Sequence, residues 1–308
     1  MHIIPTGNII LVHKGALGDF LLCWPSMLSI RTAFPDSSIF WAGRTDFLFW
    51  LNPLRICRLP GTLISSISGL YHVHKWPAAL EGYKVFWFGI NRVTTSCVDH
   101  RLIFLTGVDR EASTNFRKTC LSILEKNGIF SDNDWKNAWN DFFGPKKSPE
   151  YVLLFPGSGN RKKNWPLESY LGLAHLLEKK GFKVKFVLGP VEQEQGVDVQ
   201  GFDAITCHNY EQLQNLIKKA LFVVGNDCGP MHLAGMFNVP GIALFGPTSP
   251  EIWGPHGIDI ITSPKPCRPC SETAIIDCLD PACMSEIKIE KIMKVMEKRI
   301  LNRVGFGQ

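Results

Sequence analysis

The segment from Val223 to Gly257, VVGNDCGPMHLAGMFNVPGIALFGPTSPEIWGPHG, constrains the fold of this chain more than any other stretch. An apolar run over 221–224 breaks at Gly225-Asn226-Asp227-Cys228-Gly229-Pro230, and the spacing predicts a helix over 231–237. A second apolar run over 241–245 breaks at Gly246-Pro247-Thr248. Two short apolar strands bridged by one helix read as a parallel pair with a crossover, the unit of an α/β sheet. The turn sets a carboxylate, small residues and a histidine around one helix N-terminus. Free N–H groups and the helix dipole there favour an anion such as phosphate, by roughly 0.3–1 kcal/mol per contact near the surface.

The same alternation runs through the rest of the chain. Residues 8–13 read as a buried parallel strand, 20–34 as a helix stopped by Pro35, and 38–42 and 84–88 as further strands. A helix over 117–127 follows, and then a polar stretch, 131–150, ending in Gly144-Pro145-Lys146-Lys147-Ser148-Pro149, the best linker in the sequence. A second series begins at Tyr151, with strands over 152–155, 183–188, 203–206 and 221–224 and helices over 167–180 and 211–219. The expectation is an α/β protein of two Rossmann-like doubly wound domains facing a cleft, 1–148 and 149–308. Ligands of such sheets sit beyond the carboxyl ends of the strands.

Composition excludes several classes. With 308 residues the chain is long for one core. A net charge of +5 without a basic stripe or stacking aromatics argues against nucleic acid and is compatible with anionic small ligands. No apolar run reaches the ~20 residues that span a bilayer, and 8–12 is too short for a signal-peptide core, so the expected location is the cytoplasm. Cysteines 23, 57, 97, 120, 207 and 228 show no ligand spacing and read as buried small hydrophobes or free thiols.

Two more loops follow strands. The first is Lys14-Gly15-Ala16-Leu17-Gly18-Asp19. It lacks the G-x-G-x-x-G spacing, which disfavours a nicotinamide dinucleotide. The second is Pro156-Gly157-Ser158-Gly159-Asn160-Arg161-Lys162-Lys163-Asn164-Trp165-Pro166, a phosphate cradle in outline but not a Walker A loop. Lysines ahead of a helix oppose its dipole, which a bound anion would relieve.

Taken together, these three segments resemble glycosyltransferase family 9, the lipopolysaccharide heptosyltransferase family. Its members carry D-[ST]-G-x-x-H-L-A-A and then F-G-P-T-x-P. Here those positions are Asp227, Cys228, Gly229, His232, Leu233, Ala234 and Gly235, then 245–248 and Pro250. Cys228 and Gly235 depart from the pattern, and a thiol is a weaker hydrogen-bond partner than a hydroxyl. The resemblance implies a GT-B fold and inverting, metal-independent transfer of a heptose from a nucleotide sugar, ADP-heptose, to a lipopolysaccharide inner-core acceptor. It implies that Asp19 is the general base and that Lys163 stabilises the departing diphosphate. Ser158, Gly159, Asp227, Cys228, Gly229 and His232 would bind the donor, Glu192 its nucleoside, and Thr248 either the backbone or a donor phosphate. Read by its neighbours alone, Asp19 is as well explained as the cap of the helix after it, and His232 as a satisfied helix histidine. A nucleotide-sugar epimerase or hydrolase, or a non-catalytic nucleotide-sugar binder, are the competing readings.

Cys267-x2-Cys270-x7-Cys278-x4-Cys283 admits a structural zinc site, or else unpaired or locally paired thiols. No other cofactor is expected. The stretch 287–300 has an apolar stripe through Ile289, Ile292, Met293, Met296 and Ile300 and lysines elsewhere. It reads as a core-packed last helix or as a peripheral contact with the inner membrane.

Overall fold

The computed structural model describes residues 7–304 except 71, 73, 90–96, 98, 109–113, 133, 146, 195, 271–275 and 279–281. Its contacts divide the chain into two compact units, Met1–Trp135 and Lys136–Gln308.

In the first unit, the strands β1 (Asn8–His13), β2 (Ile39–Ala42), β3 (Ile56–Arg58), β4 (Tyr83–Gly89) and β5 (Leu102–Thr106) form one sheet. Its order is β3-β2-β1-β4-β5 with every pair parallel. Helices α1 (Leu17–Ala33), α2 (Leu48–Leu51), α3 (Gly61–Gly69) and α4 (Phe116–Lys126) flank it. Central β1 is covered on both faces, which is why it reads as an unbroken apolar run. His13, at its end, lies in an aromatic box, stacked on Trp41 at 5.8 Å between ring centroids, with Phe20 and Phe47 edge-on. Phe20 in turn stacks on Phe47 at 4.3 Å. This packing anchors the loop between β1 and α1.

The second unit takes α5 (Trp135–Phe143) from its second residue on, then β6 (Tyr151–Phe155), α6 (Leu167–Lys179), β7 (Val184–Leu188), α7 (Pro190–Glu194) and β8 (Ala204–Thr206). There follow α8 (Tyr210–Lys218), β9 (Ala220–Asn226), α9 (Gly229–Met236), β10 (Gly241–Phe245), α10 (Pro250–Trp253), β11 (Asp259–Thr262), α11 (Ala282–Ser285) and α12 (Ile289–Val304). Six parallel strands run β11-β10-β9-β6-β7-β8. Counted from β6, that is the order 6-5-4-1-2-3 of a dinucleotide-binding sheet, with its switch point between β6 and β9. The core joins Leu154, Trp165, Tyr170, Phe186, Phe222 and Leu244 to the inner faces of α6 and α12.

Several elements differ from the sequence reading, β5 among them, a strand that went unread. The first helix begins at Leu17 rather than Phe20. The polar stretch 131–150 contains α5, because Trp135, Trp139 and Phe143 recur at four-residue spacing and Trp139 packs on Phe237 at 5.7 Å. β3 and β11 also went unread, being short strands at sheet edges with half-exposed side chains and no continuous apolar run.

Candidate functional site

The loop after β6 is held in place by one buried residue, Asn226, at the end of β9. Its Nδ2 donates to the Pro156 carbonyl at 2.7 Å, and its Oδ1 accepts from the Trp165 amide at 2.9 Å and the Tyr170 hydroxyl at 3.1 Å. Both ends of the loop are thus tied to the neighbouring strand across the switch point. Ser158 Oγ lies 2.8 Å from the Asn160 carbonyl and 2.6 Å from Asn164 Oδ1, so its hydroxyl serves the loop itself. Gly159 is exposed, and open space lies where its side chain would be. Asn160 then caps a single turn, Arg161–Lys163, by accepting from the Lys162 amide at 3.0 Å.

That turn carries Lys163 to the carboxyl end of β9. Its Nζ is 3.1 Å from Asp227 Oδ2 and 3.1 Å from the Asp227 carbonyl. Thr248, from the turn after β10, donates its hydroxyl to the same Oδ2 at 2.8 Å. Loops from three adjacent strands therefore converge on one carboxylate. With 10% of its side chain exposed, Asp227 has lost most of its water, and a cation and a hydroxyl replace it. An ammonium has three donors, so Lys163 keeps capacity for a second anion.

Asp227 leads through Cys228 into α9, whose first turn carries the Gly229 N–H, Pro230 having none. Cys228 is the N-cap residue and its side chain makes no capping bond. The residue as a whole is half-buried, and burial pushes its thiol up to about 12, so it stays protonated at neutral pH. Gly229 begins the helix, and His232 is buried one turn in. Gly235 has a steric reason to be glycine: a Cβ there would lie 2.0 Å from the His256 carbonyl oxygen.

On the other side of the cradle, Glu192 accepts from the Gly189 amide at 2.7 Å. Its carboxylate lies over Gly157, where any Cβ would collide with it at 1.4 Å. Gly157, Arg161, Trp165, Pro166, Glu192 and Val197 help line a cavity of about 340 Å³. Apolar walls with a carboxylate, a guanidinium and the Asn164 amide suit a flat heterocycle and a hydroxylated ring.

The first unit has its own switch-point loop after β1. Asp19 stands at the third position of α1 and accepts from the Ala16 amide at 2.9 Å, so it caps its helix from inside the first turn. A Cβ on Gly15 would lie 2.6 Å from Asp19 Oδ2, so the carboxylate occupies space only glycine leaves. Beneath it, burial lowers the His13 imidazole to about 4, and its Nδ1 has no hydrogen-bond partner.

Of the cysteine cluster, Cys267 and Cys270 are exposed, Cys278 half-buried and Cys283 buried, none of them in a disulfide. Among the described residues no group of three or more histidines, cysteines or carboxylates is arranged to hold a metal ion. The last helix, α12, buries Ile292, Met293 and Met296 in the core and turns Lys291, Lys294 and Lys298 outward. No described helix is long and apolar enough to cross a membrane.

The second unit thus gathers Lys163, Asp227 and Thr248 at one point, with Ser158 and Gly159 in the adjoining loop, Glu192 at the cavity, and Cys228, Gly229 and His232 on α9. Asp19 belongs to the first unit. Sequence reasoning overlooked Asn226, whose only signal was its place beside Asp227. It also left Lys162 as an ordinary basic residue, although its Nζ donates to the Ile276 carbonyl at 2.9 Å.

A family model described as glycosyltransferase family 9 (heptosyltransferase) matches residues 125–295. Lipopolysaccharide heptosyltransferase 1 of Escherichia coli strain K12 is 30% identical over 118 residues, 37% of this chain and 37% of that protein. The matched stretch therefore spans little more than a third of the relative. The crystal structure of the glycosyl transferase family 9 from Veillonella parvula DSM 2008 aligns with a TM-score of 0.70 at 21% identity, covering 98% of this chain and 99% of that one. E. coli heptosyltransferase WaaC with ADP gives 0.65 at 15%, covering 94% and 99%. Likeness at these identities is one of fold, the GT-B arrangement of two parallel-sheet units with flanking helices. The family match spans more than half of the chain and includes the cradle, the Asp227 turn and the Thr248 turn: this protein belongs to glycosyltransferase family 9.

Proposed function

We propose that this protein is an inverting, metal-independent glycosyltransferase that moves a heptose from ADP-heptose to a lipopolysaccharide inner-core acceptor. The observation that carries the reading is the Lys163–Asp227–Thr248 cluster at the switch point of the second unit. The one ammonium donor that Lys163 keeps and the Gly229 N–H at the start of α9 form, on this reading, a seat for a nucleoside diphosphate. The choice of adenine nucleotide and heptose is supported by likeness to heptosyltransferases, one of them solved with ADP and with ADP-2-deoxy-2-fluoro heptose.

In this mechanism the second unit holds the donor and the first the acceptor. Asp19 takes the proton of the acceptor hydroxyl, and the oxygen attacks the anomeric carbon on the face opposite the diphosphate. The new C–O bond forms as the sugar–phosphate C–O bond breaks, and its electron pair leaves with ADP. Direct displacement by one nucleophile inverts the anomeric centre. Lys163 and the Gly229 N–H meet the charge that grows on the diphosphate, the task a divalent cation performs elsewhere. Asp227 and Thr248 aim Lys163, and Glu192 contacts the nucleoside. A lipid-anchored acceptor sets the place of work at the cytoplasmic face of the inner membrane.

The test is a calorimetric titration of ADP into wild-type protein and Lys163→Ala. The reading expects wild-type binding and an affinity loss of about tenfold or more in the variant, the value of a charge-assisted hydrogen bond. Equal affinities would move the diphosphate away from Lys163.

A further inference from the structure

The segment after β11 holds a residue that neither the motif nor the proposed chemistry uses. Arg268 lies between Cys267 and Cys270, in the stretch that runs back over the Gly246-Pro247-Thr248 turn. Its Nε donates to the Gly246 carbonyl at 2.9 Å, and a terminal nitrogen lies 3.3 Å from the Thr248 carbonyl. The Cys270 amide donates to the Pro247 carbonyl at 2.9 Å, so all three carbonyls of the turn are taken by this one segment. From the other side, Cys283 and Met284 press on Gly246 so closely that a Cβ would lie 2.9 Å and 2.4 Å from their sulfurs.

The turn so gripped is the one that presents Thr248 to Asp227, and Asp227 aims Lys163. Lys162, beside Lys163, is tied at Nζ to the Ile276 carbonyl of the same segment. A single stretch thereby touches both loops that meet at the ion pair. A planar guanidinium bridging two carbonyls fixes the turn's orientation in a way that a single flexible ammonium cannot.

We infer that Arg268 is a positioning residue for the nucleoside diphosphate: it locks the Gly246–Thr248 turn so that Thr248 holds Asp227, and Asp227 holds Lys163, in register for the ligand. This rests on the reading that Lys163 meets the diphosphate. The cysteine-bearing segment serves, on this account, as a brace of the donor seat.

The experiment titrates ADP by calorimetry into wild type, Arg268→Ala, Arg268→Lys, Thr248→Val and Arg268→Ala/Thr248→Val, each below its measured melting temperature. Arg268→Ala is expected to weaken ADP about tenfold, the value of one or two lost bonds from a charged donor, and Arg268→Lys to recover part of it. In the Thr248→Val background, where Thr248 no longer reaches Asp227, removing Arg268 is expected to cost little more. Residues acting through one contact are non-additive, whereas a general loosening of the unit would add. Unchanged ADP affinity in Arg268→Ala, or full additivity with Thr248→Val, would overturn the inference and leave the donor seat standing. Failure of wild type to bind ADP would sink the functional reading itself.

Discussion

A carboxylate beside a diphosphate repels it unless its own charge is compensated, and Asp227 meets that condition through Lys163 and Thr248. The same logic separates the two carboxylates proposed for the site. Asp227 is buried and paired, an orienting group, whereas Asp19 is half-buried at a helix start. Replacing Asp19 by asparagine keeps the bond from Ala16 and removes the base. Turnover is expected to fall by about 10²–10⁴-fold, the usual worth of a positioned base, with ADP affinity unchanged. Near-normal turnover would remove Asp19 from the chemistry. His13 supplies a prediction of a different kind. Its folded pKa of about 4 lies below the ordinary 6.5, because burial disfavours the imidazolium. Between those values the unfolded chain binds the extra proton, so stability is full above pH 6.5 and is lost as pH falls toward 4. Denaturant melts should show a slope on the order of 1 kcal/mol per pH unit in that window, absent in His13→Phe. Identical slopes would show that His13 does not titrate on unfolding. At this scale the sequence was legible where a motif fixes a position, as for Lys163, Asp227 and Thr248. It was silent on Asn226 and Arg268, because their partners are backbone carbonyls and amides brought near only by the fold.

At the scale of elements, the central strands were readable because a parallel strand covered on both faces must be apolar throughout. Edge strands β3, β5 and β11, with side chains half-exposed in part, escaped for the converse reason. The start of α1 was misplaced by three residues because Asp at the third helical position resembles Asp at the cap, both answering to a free N–H. The α9 helix shows how a motif departure is set by its surroundings. Family members carry alanine where Gly235 stands, but here the His256 carbonyl lies 2.0 Å from where a Cβ would be. Gly235→Ala, a return to the family residue, is therefore expected to destabilise the unit by about 1–3 kcal/mol, as overpacking does. Thermal unfolding checks it, and a raised melting temperature would mean that the 256–257 backbone moves away at no cost.

For the whole molecule, two doubly wound parallel sheets were expected from the alternation of elements, and both sheets are parallel, each with a switch point. The substrates were not legible from the pattern, since a GT-B architecture hosts many chemistries and only side chains in the loops distinguish them. The central claim is direct transfer, without a metal, from an adenine nucleotide sugar. It is tested most directly by incubating the protein with ADP-heptose and a lipopolysaccharide inner-core acceptor in the presence of a chelator, following products by mass spectrometry. The account predicts one heptose added to the acceptor for each ADP released, at the rate seen without chelator, and no ADP released when the acceptor is left out. Loss of transfer with the chelator and its return with magnesium or manganese, or ADP release without acceptor, would contradict it.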